Sequence, residues 1–346
     1  MGYRRGNQKA VPRVAIIGCG RIGSLFDEQA GKREAVLSHA GAYQRSERLQ
    51  LIALCDSDPE RLSQCGRRRG VSALYSDYQT MLVAESIDIL SVCTPSDQRL
   101  PILQAAVESG IKIIFCEKPL AETMEEATQI QSLISRHGAV MAVNYLRRWD
   151  PGIREACRLI KDGKIGTLQS VVAHYGKGIA NNGSHIIDLL NYFFGLPIRV
   201  RVLRKADDDY SSSDPTLDCV LEYESGSGRF PVYMLAADYR YFSLFELDIL
   251  GTAGRLQVAN KGQEIKLYAV SEDMTFQGYS GLQHSRTIPS DLGRALFYAV
   301  EELADVFQER CLRPQCGIDE AVDVVRVVAA LKASIELSSF VGIKER

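Results

Sequence analysis

Two periods alternate over the first 145 residues of the chain. Short, continuous apolar runs stand at Val14–Ile17, Leu49–Cys55, Ile87–Cys93, Ile111–Cys116 and Ala139–Val143. Between them lie helical patterns at Pro59–Arg69, Asp97–Ser109 and Glu122–His137; in the last, Met124, Ala127, Ile130, Leu133 and Ile134 form one apolar stripe. Apolar runs without polar alternation predict strands buried on both faces. Their alternation with helices predicts a doubly wound parallel sheet.

The pattern changes after Pro151. A helix at Gly152–Lys161 leads into a strand at Leu168–Tyr175 and a helix at Ser184–Phe194. Strands then follow with little helix between them: Ile198–Arg204, Leu217–Glu224, Arg229–Ala237, Leu244–Leu250, Arg255–Ala259 and Glu264–Ala269. Their connections are Gly-rich, as at Ser225-Gly226-Ser227-Gly228 and Gly251-Thr252-Ala253-Gly254, and predict a mostly antiparallel sheet. Two amphipathic helices, Leu292–Glu309 and Ile318–Leu337, close the pattern. The expectation is two domains, residues 1–146 and 147–346. Helices on one side of the second sheet leave its other face open, and a second copy of the chain is a natural cover.

With 346 residues, 46% hydrophobic and 24% charged, the composition is that of an ordinary globular protein large enough for two cores. A formal net charge of −2 gives no footprint for nucleic acid or an anionic membrane. The local basic spots, Arg67-Arg68-Arg69 and Arg147-Arg148, read as solvated helix ends. Met1–Pro12 lacks the apolar segment of a secretory signal, and no window approaches the ~18 apolar residues of a membrane span. The nine cysteines and five histidines show no metal-ligand spacing. A reduced, cytoplasmic, soluble protein without a structural metal is expected.

Chemistry enters at Gly18-Cys19-Gly20-Arg21-Ile22-Gly23, directly after the first apolar run. In a G-x-G-x-x-G loop the glycines permit a tight turn, a close approach to a pyrophosphate and tight helix–strand packing, so this loop predicts a dinucleotide site. Asp56, at the end of the second strand, is placed to accept hydrogen bonds from the adenosine ribose and to disfavour a 2′-phosphate, so NAD is expected over NADP. That acid usually follows the loop by ~20 residues. Here the stretch Ser24–Ser38 intervenes and reads as an insertion near the cofactor, either a lid or a surface excursion. Glu117-Lys118-Pro119 follows the fourth of these strand runs at its carboxyl end, where Lys118 can hold a hydroxyl or carbonyl oxygen or relay a proton. His185 falls in the first turn of a helix, whose positive end favours a neutral imidazole suited to act as base. Asp188, one turn on, is either its orienting partner or an exposed acid.

Together, G-C-G-R-I-G, C-E-K-P-L and N-G-S-H-I-I-D resemble the glucose–fructose oxidoreductase / inositol dehydrogenase / rhizopine-catabolism (Gfo/Idh/MocA) family. Further matches are the Thr94-Pro95 turn, the Arg-Arg-aromatic-x-Pro segment within Asn144–Pro151 and the I-x-G-T-x-G strand within Glu246–Gly254. The resemblance implies an N-terminal Rossmann domain and a C-terminal α+β domain with a large, mostly antiparallel open sheet, on which homodimers or homotetramers are built. It implies NAD(P)-dependent oxidation or reduction of a small-molecule sugar, cyclitol or related carbonyl. Lys118 and His185 match the family's proton-handling lysine and histidine. Gly18, Gly20, Arg21, Ile22, Gly23, Asp56, Thr94, Pro95, Glu117 and Lys118 are the expected cofactor contacts.

Three departures stand out. Asn181 occupies the position where many members carry an acid four residues before the histidine; it can hydrogen-bond a sugar hydroxyl but cannot exchange a proton. Arg99 replaces a histidine after the Thr-Pro turn, and the insertion precedes His39. Arg148, Tyr175 and Lys177 complete the expected substrate contacts, with the two cations suited to a carboxylate or phosphate of a uronate or nucleotide sugar. Two other activities fit the same residues: oxidoreduction of a non-sugar substrate such as a dihydrodiol or tetrapyrrole, and a non-catalytic NAD(P)-dependent regulator.

Overall fold

Strand β1 (Arg13–Ile17) is buried along Val14–Ile17, as a continuous apolar run in the middle of a parallel sheet must be. In the computed structural model, which describes residues 11–28, 35–208, 210–225 and 228–343, it lies at the centre of a six-stranded sheet. Its partners are β2 (Gln50–Cys55), β3 (Ala73–Tyr75), β4 (Ile89–Val92), β5 (Ile113–Cys116) and β6 (Val140–Val143). The order is β3-β2-β1-β4-β5-β6 and every pairing is parallel. This is the doubly wound order, with its switch point between β1 and β4. The helices of this part are α1 (His39–Arg45), α2 (Pro59–Arg69), α3 (Tyr78–Ala84), α4 (Arg99–Glu108) and α5 (Met124–Arg136). Helix α2 shows how tightly local sequence sets an element. The Asp58 side chain caps Glu60 and Arg61 N–H at 3.0 Å, Pro59 opens the first turn, and Gly70 ends the helix at φ 66°.

The second sheet has nine strands, in the order β14-β13-β12-β11-β7-β10-β9-β8-β15. These are β7 (Leu168–Tyr175), β8 (Arg199–Lys205), β9 (Leu217–Ser225), β10 (Gly228–Ala236), β11 (Phe245–Gly251), β12 (Gly254–Ala259), β13 (Glu264–Glu272), β14 (Ser280–Pro289) and β15 (Val341–Gly342). Only β7 and β10 pair in parallel. Helices α6 (Pro151–Lys161), α7 (Ser184–Phe194), α8 (Ala295–Phe307) and α9 (Ile318–Leu337) complete the described elements. Along β11, Phe245, Leu247, Ile249 and Gly251 are buried while Glu246, Asp248 and Leu250 are half-buried on the opposite face. That alternation marks a sheet with one covered and one open face.

The contacts divide the chain into two units: Met1–Lys118, Gln129–Asn144 and Gly293–Ile318 form one; Pro119–Thr128, Tyr145–Leu292 and Asp319–Arg346 form the other. Helix α8, which a single cut of the chain assigns to the C-terminal part, belongs to the first unit. There Arg48 bonds Glu301 at 3.0 Å and Asp305 at 2.6 Å, and α8 lies against α1. Elements without a strong pattern emerge only in the structure: α1, β3, α3, β14 and β15. Residues 226–227 of the expected Ser225–Gly228 turn, residues 29–34 of the insertion and residues 1–10 lie outside the described residues. All nine cysteines are free thiols, and among the described residues no helix is long and apolar enough to cross a membrane.

Candidate functional site

The carboxyl ends of β1, β2, β4 and β5 surround a cleft of about 970 Å³ in the first unit. Its floor is the glycine loop. Gly18 sits at φ 98° with a Cβ excluded by the Cys93 carbonyl at 2.9 Å, and a Cβ on Gly23 would stand 1.9 Å from Gly18 O. On Gly20 a Cβ would meet nothing within 4 Å, so the loop's middle glycine leaves open space. Thr94 Oγ1, in the wall, is buried with no hydrogen-bond partner among the described residues. A bare glycine loop with a waiting hydroxyl fits a dinucleotide.

The insertion proves to be spliced into the first helix. His39 N–H donates to Ile22 O at 3.0 Å and Ala40 N–H to Gly23 O at 2.9 Å, seventeen residues back where a continuous helix reaches four. Thirteen residues are therefore looped out of an otherwise continuous hydrogen-bond ladder. Without them Asp56 stands twenty residues after Gly23, the ordinary fingerprint spacing.

Asp56 reaches the cleft, but its carboxylate is fully engaged. Oδ1 accepts from Asp58 N at 2.9 Å and Arg61 Nη2 at 2.7 Å, and Oδ2 from Cys19 N at 2.7 Å and Arg61 Nε at 2.9 Å. Burial alone would raise this carboxyl, yet Arg61 and the two backbone donors hold it below the usual range. Arg61, in the cleft wall, was not singled out in the sequence; only its position five residues after Asp56, one turn into a helix, hints at it.

On the other side of the switch point Arg99, 3% exposed, donates to Thr94 O at 2.8 Å and to Lys118 O at 3.4 Å. It thereby ties the Thr94-Pro95 turn to the Glu117-Lys118-Pro119 turn. Glu117 ends a buried polar chain: Tyr43 OH lies 2.7 Å from Ser91 Oγ, Ser91 Oγ 2.9 Å from His39 Nδ1, and His39 Nε2 3.0 Å from Glu117 Oε1. Asn144 Nδ2 adds a donor to the same oxygen at 2.6 Å, and Oε2 accepts from Lys118 N at 3.2 Å. The Lys118 side chain is half-buried and lines the cleft.

The remaining candidates belong to the second unit. A π-helical turn, Gly178–Gly183, runs into α7 without a break, since Gly183 is itself in the right-handed helical region. His185 is therefore not at the positive end of a helix, as its sequence position suggests. The leading N–H groups are those of Gly178 to Asn181: Thr216 Oγ1 and Pro215 O accept the first two at 2.9 and 3.0 Å, and Asp214 accepts from Ala180 and Asn181 at 2.7 and 3.0 Å. The imidazole of His185 packs edge-on against Tyr145 at 5.6 Å. Asn181 donates from Nδ2 to Tyr210 OH at 2.9 Å. Lys177 is exposed at the start of the turn with φ 70°, a conformation lysine rarely adopts.

Two expected substrate contacts are occupied internally. Arg148, 4% exposed, holds the buried Asp188 through Nε and Nη2 at 2.9 Å, so its charge is neutralised inside the unit. Asp188 is likewise a buried acid rather than a surface one, and burial pushes its carboxyl up despite Arg148. Tyr175 is fully buried, donating to Leu217 O at 2.8 Å and accepting from Leu217 N at 2.9 Å. Arg148 and Tyr175 are thus both bonded within their own unit.

A family profile described as an oxidoreductase family with an NAD-binding Rossmann fold matches residues 12–145. D-apiose dehydrogenase of Paraburkholderia graminis is 28% identical over 229 residues, which cover 61% of this chain and 57% of that protein. The chain thus spans little more than half the length of that relative. The scyllo-inositol 2-dehydrogenase (NAD(+)) of Bacillus subtilis is 30% identical over 264 residues, 70% of this chain and 72% of that protein. An oxidoreductase from Agrobacterium radiobacter, solved in complex with NAD+, L-tartaric acid and magnesium, shares the fold with a TM-score of 0.75 at 15% identity, over 96% of this chain and 99% of that one. With the glycine loop, the acid, Glu117 and Lys118 on one cleft, and an inositol dehydrogenase matched over this share of its length, the chain belongs to the Gfo/Idh/MocA oxidoreductase family.

Proposed function

We propose that the chain is an NAD-dependent dehydrogenase that interconverts a ring hydroxyl and ketone of a sugar, cyclitol or nucleotide sugar. The observation that carries this reading is the shared cleft, where the glycine loop, Asp56 and Lys118 line one volume. The nicotinamide, when bound, accepts or returns the hydride. Lys118 polarises and positions the reacting oxygen, and His185 takes the hydroxyl proton or gives it back in reduction. Asn181 and Lys177 supply substrate contacts, and the Asn181 amide is oriented by Tyr210. The open face of the nine-stranded sheet pairs copies of the chain.

The test is nicotinamide absorbance with purified protein, NAD+ and a panel of inositols, free sugars, sugar acids and nucleotide sugars. A signal with one of these classes is expected and names the substrate group. Acid–base help is worth about 10²–10⁴-fold, so Lys118→Ala and His185→Ala are each expected to lower turnover at least ~100-fold. Turnover within tenfold of wild type removes that residue from the mechanism. Binding of NADH with no turnover of any panel member favours the regulator reading instead.

A further inference from the structure

The looped-out segment begins at the cleft. Its first residues form a 3-10 turn, Leu25–Glu28, which brings Phe26 into the cleft wall beside Gly20, Arg21 and Ile22. The Phe26 ring is half-buried, and the Arg21 guanidinium lies over it, 4.9 Å from the centroid. Two contacts hold this geometry. Phe26 N–H donates to Arg21 O at 2.8 Å, and Asp27 clamps the base of the loop. The Asp27 carboxylate accepts from Leu37 N at 2.7 Å, from Ser38 Oγ and from Arg69 Nη2 at 2.9 Å, while Arg69 also bonds Ser24 O at 2.6 Å. A clamped aromatic that faces a cleft rather than the core has no packing reason to be there. Arg21 stands between Gly20 and Gly23, where a dinucleotide's pyrophosphate meets a glycine loop.

We propose that the start of the insertion, Leu25–Glu28, is part of the dinucleotide site: Phe26 walls the cleft above the glycine loop and holds Arg21 toward the pyrophosphate. The proposal rests on the reading that this cleft binds NAD. An aromatic face restricts a flexible arginine without neutralising it, leaving its full charge for an anion. An acid in place of Phe26 would pin the same side chain but cancel that charge.

The test is binding, read by NADH fluorescence titration of wild type, Phe26→Leu, Phe26→Tyr, Arg21→Ala and the Phe26→Leu/Arg21→Ala double variant. Wild type is expected to bind; failure to do so overturns the NAD reading itself, and the inference with it. Given binding, Phe26→Leu keeps the apolar wall but loses the cation–aromatic contact and is expected to weaken NADH about three- to tenfold. Phe26→Tyr should stay within twofold. The double variant should bind no more weakly than Arg21→Ala alone by more than twofold, because Phe26 acts largely through Arg21. Competition by ADP should weaken with NADH in Phe26→Leu, whereas competition by adenosine, which lacks phosphates, should not. NADH affinity of Phe26→Leu within twofold of wild type, or fully additive losses in the double variant, overturns the proposal.

Discussion

Glu117 carries a charge in a place that would ordinarily refuse one. It is 6% exposed, and burial alone would raise its carboxyl above the ordinary 4.5. The bonds from His39 and Asn144, with Arg99 nearby, more than offset that and hold it below 4.5. A carboxyl depressed by folding stabilises the native state above its unfolded value, and that stability is lost as pH falls through the folded value. Thermal melts of wild type and Glu117→Gln at pH 6 should therefore differ, with the variant melting lower. The gap should narrow as pH falls below 4.5. A constant gap from pH 6 to pH 3 would mean that the carboxylate's charge is not what the network stabilises. Asp56 shows the same economy in another form: its four acceptor positions are filled by the chain's own donors, so ribose hydroxyls can bind only in exchange for Arg61.

At the scale of elements, the ladder from Ile22 and Gly23 to His39 and Ala40 explains how a helix accommodates a long looped-out segment. Joining Gly23 to Leu37 would restore ordinary four-residue spacing. The variant lacking residues 24–36 is therefore expected to melt cooperatively. It should do so below wild type by the ~1–3 kcal/mol of a part-buried cation that loses its charged acceptor, since Arg69 loses Asp27 and Ser24 O and keeps the neutral Gln44 Oε1 and Ser38 Oγ. Loss of a cooperative melt, followed by circular dichroism, would show that the insertion holds the unit together. This splice was hidden in the sequence because hydrogen bonds over seventeen residues leave no periodic trace. Long, strongly patterned elements were legible nearly to the residue: α2, β7, α7 and α9 run over the bounds their periodicity predicts. The three-residue β3 is half-exposed, and β14 buries only Ile288, so neither carries an alternation to read. Of the site, the glycine loop and the Glu117-Lys118-Pro119 turn were legible because backbone geometry restricts their residue types. Arg61 and Asp214 were not, since a single charge on a helix or loop reads as solvated until its partner is seen; Arg99 stood out only as a departure from the family pattern, without its tie between the two turns.

For the molecule as a whole, the unfinished surface is the open face of the nine-stranded sheet. Across one row the register brings Arg201, Val220, Tyr233, Val172, Asp248, Gln257 and Lys266 side by side. The apolar Val220, Tyr233 and Val172 stand together, with Arg201 on one side and Asp248, Gln257 and Lys266 on the other, an apolar stretch with a polar rim. Tyr233, 38% exposed, stands at the apolar centre. Nine strands at ~4.8 Å spacing give a face about 40 Å wide, wide enough for an interface of standard size. A two-fold axis near its middle would bring the apolar stretch of one copy onto that of the other. Sedimentation of the wild-type chain at micromolar concentration is expected to give a dimer or larger species. Tyr233→Asp, which puts a charge at the apolar centre, should shift it toward monomer. NADH affinity should stay within twofold of wild type, because the cleft draws all its walls from the other unit. A wild-type monomer at that concentration would leave the open face without a self-pairing role.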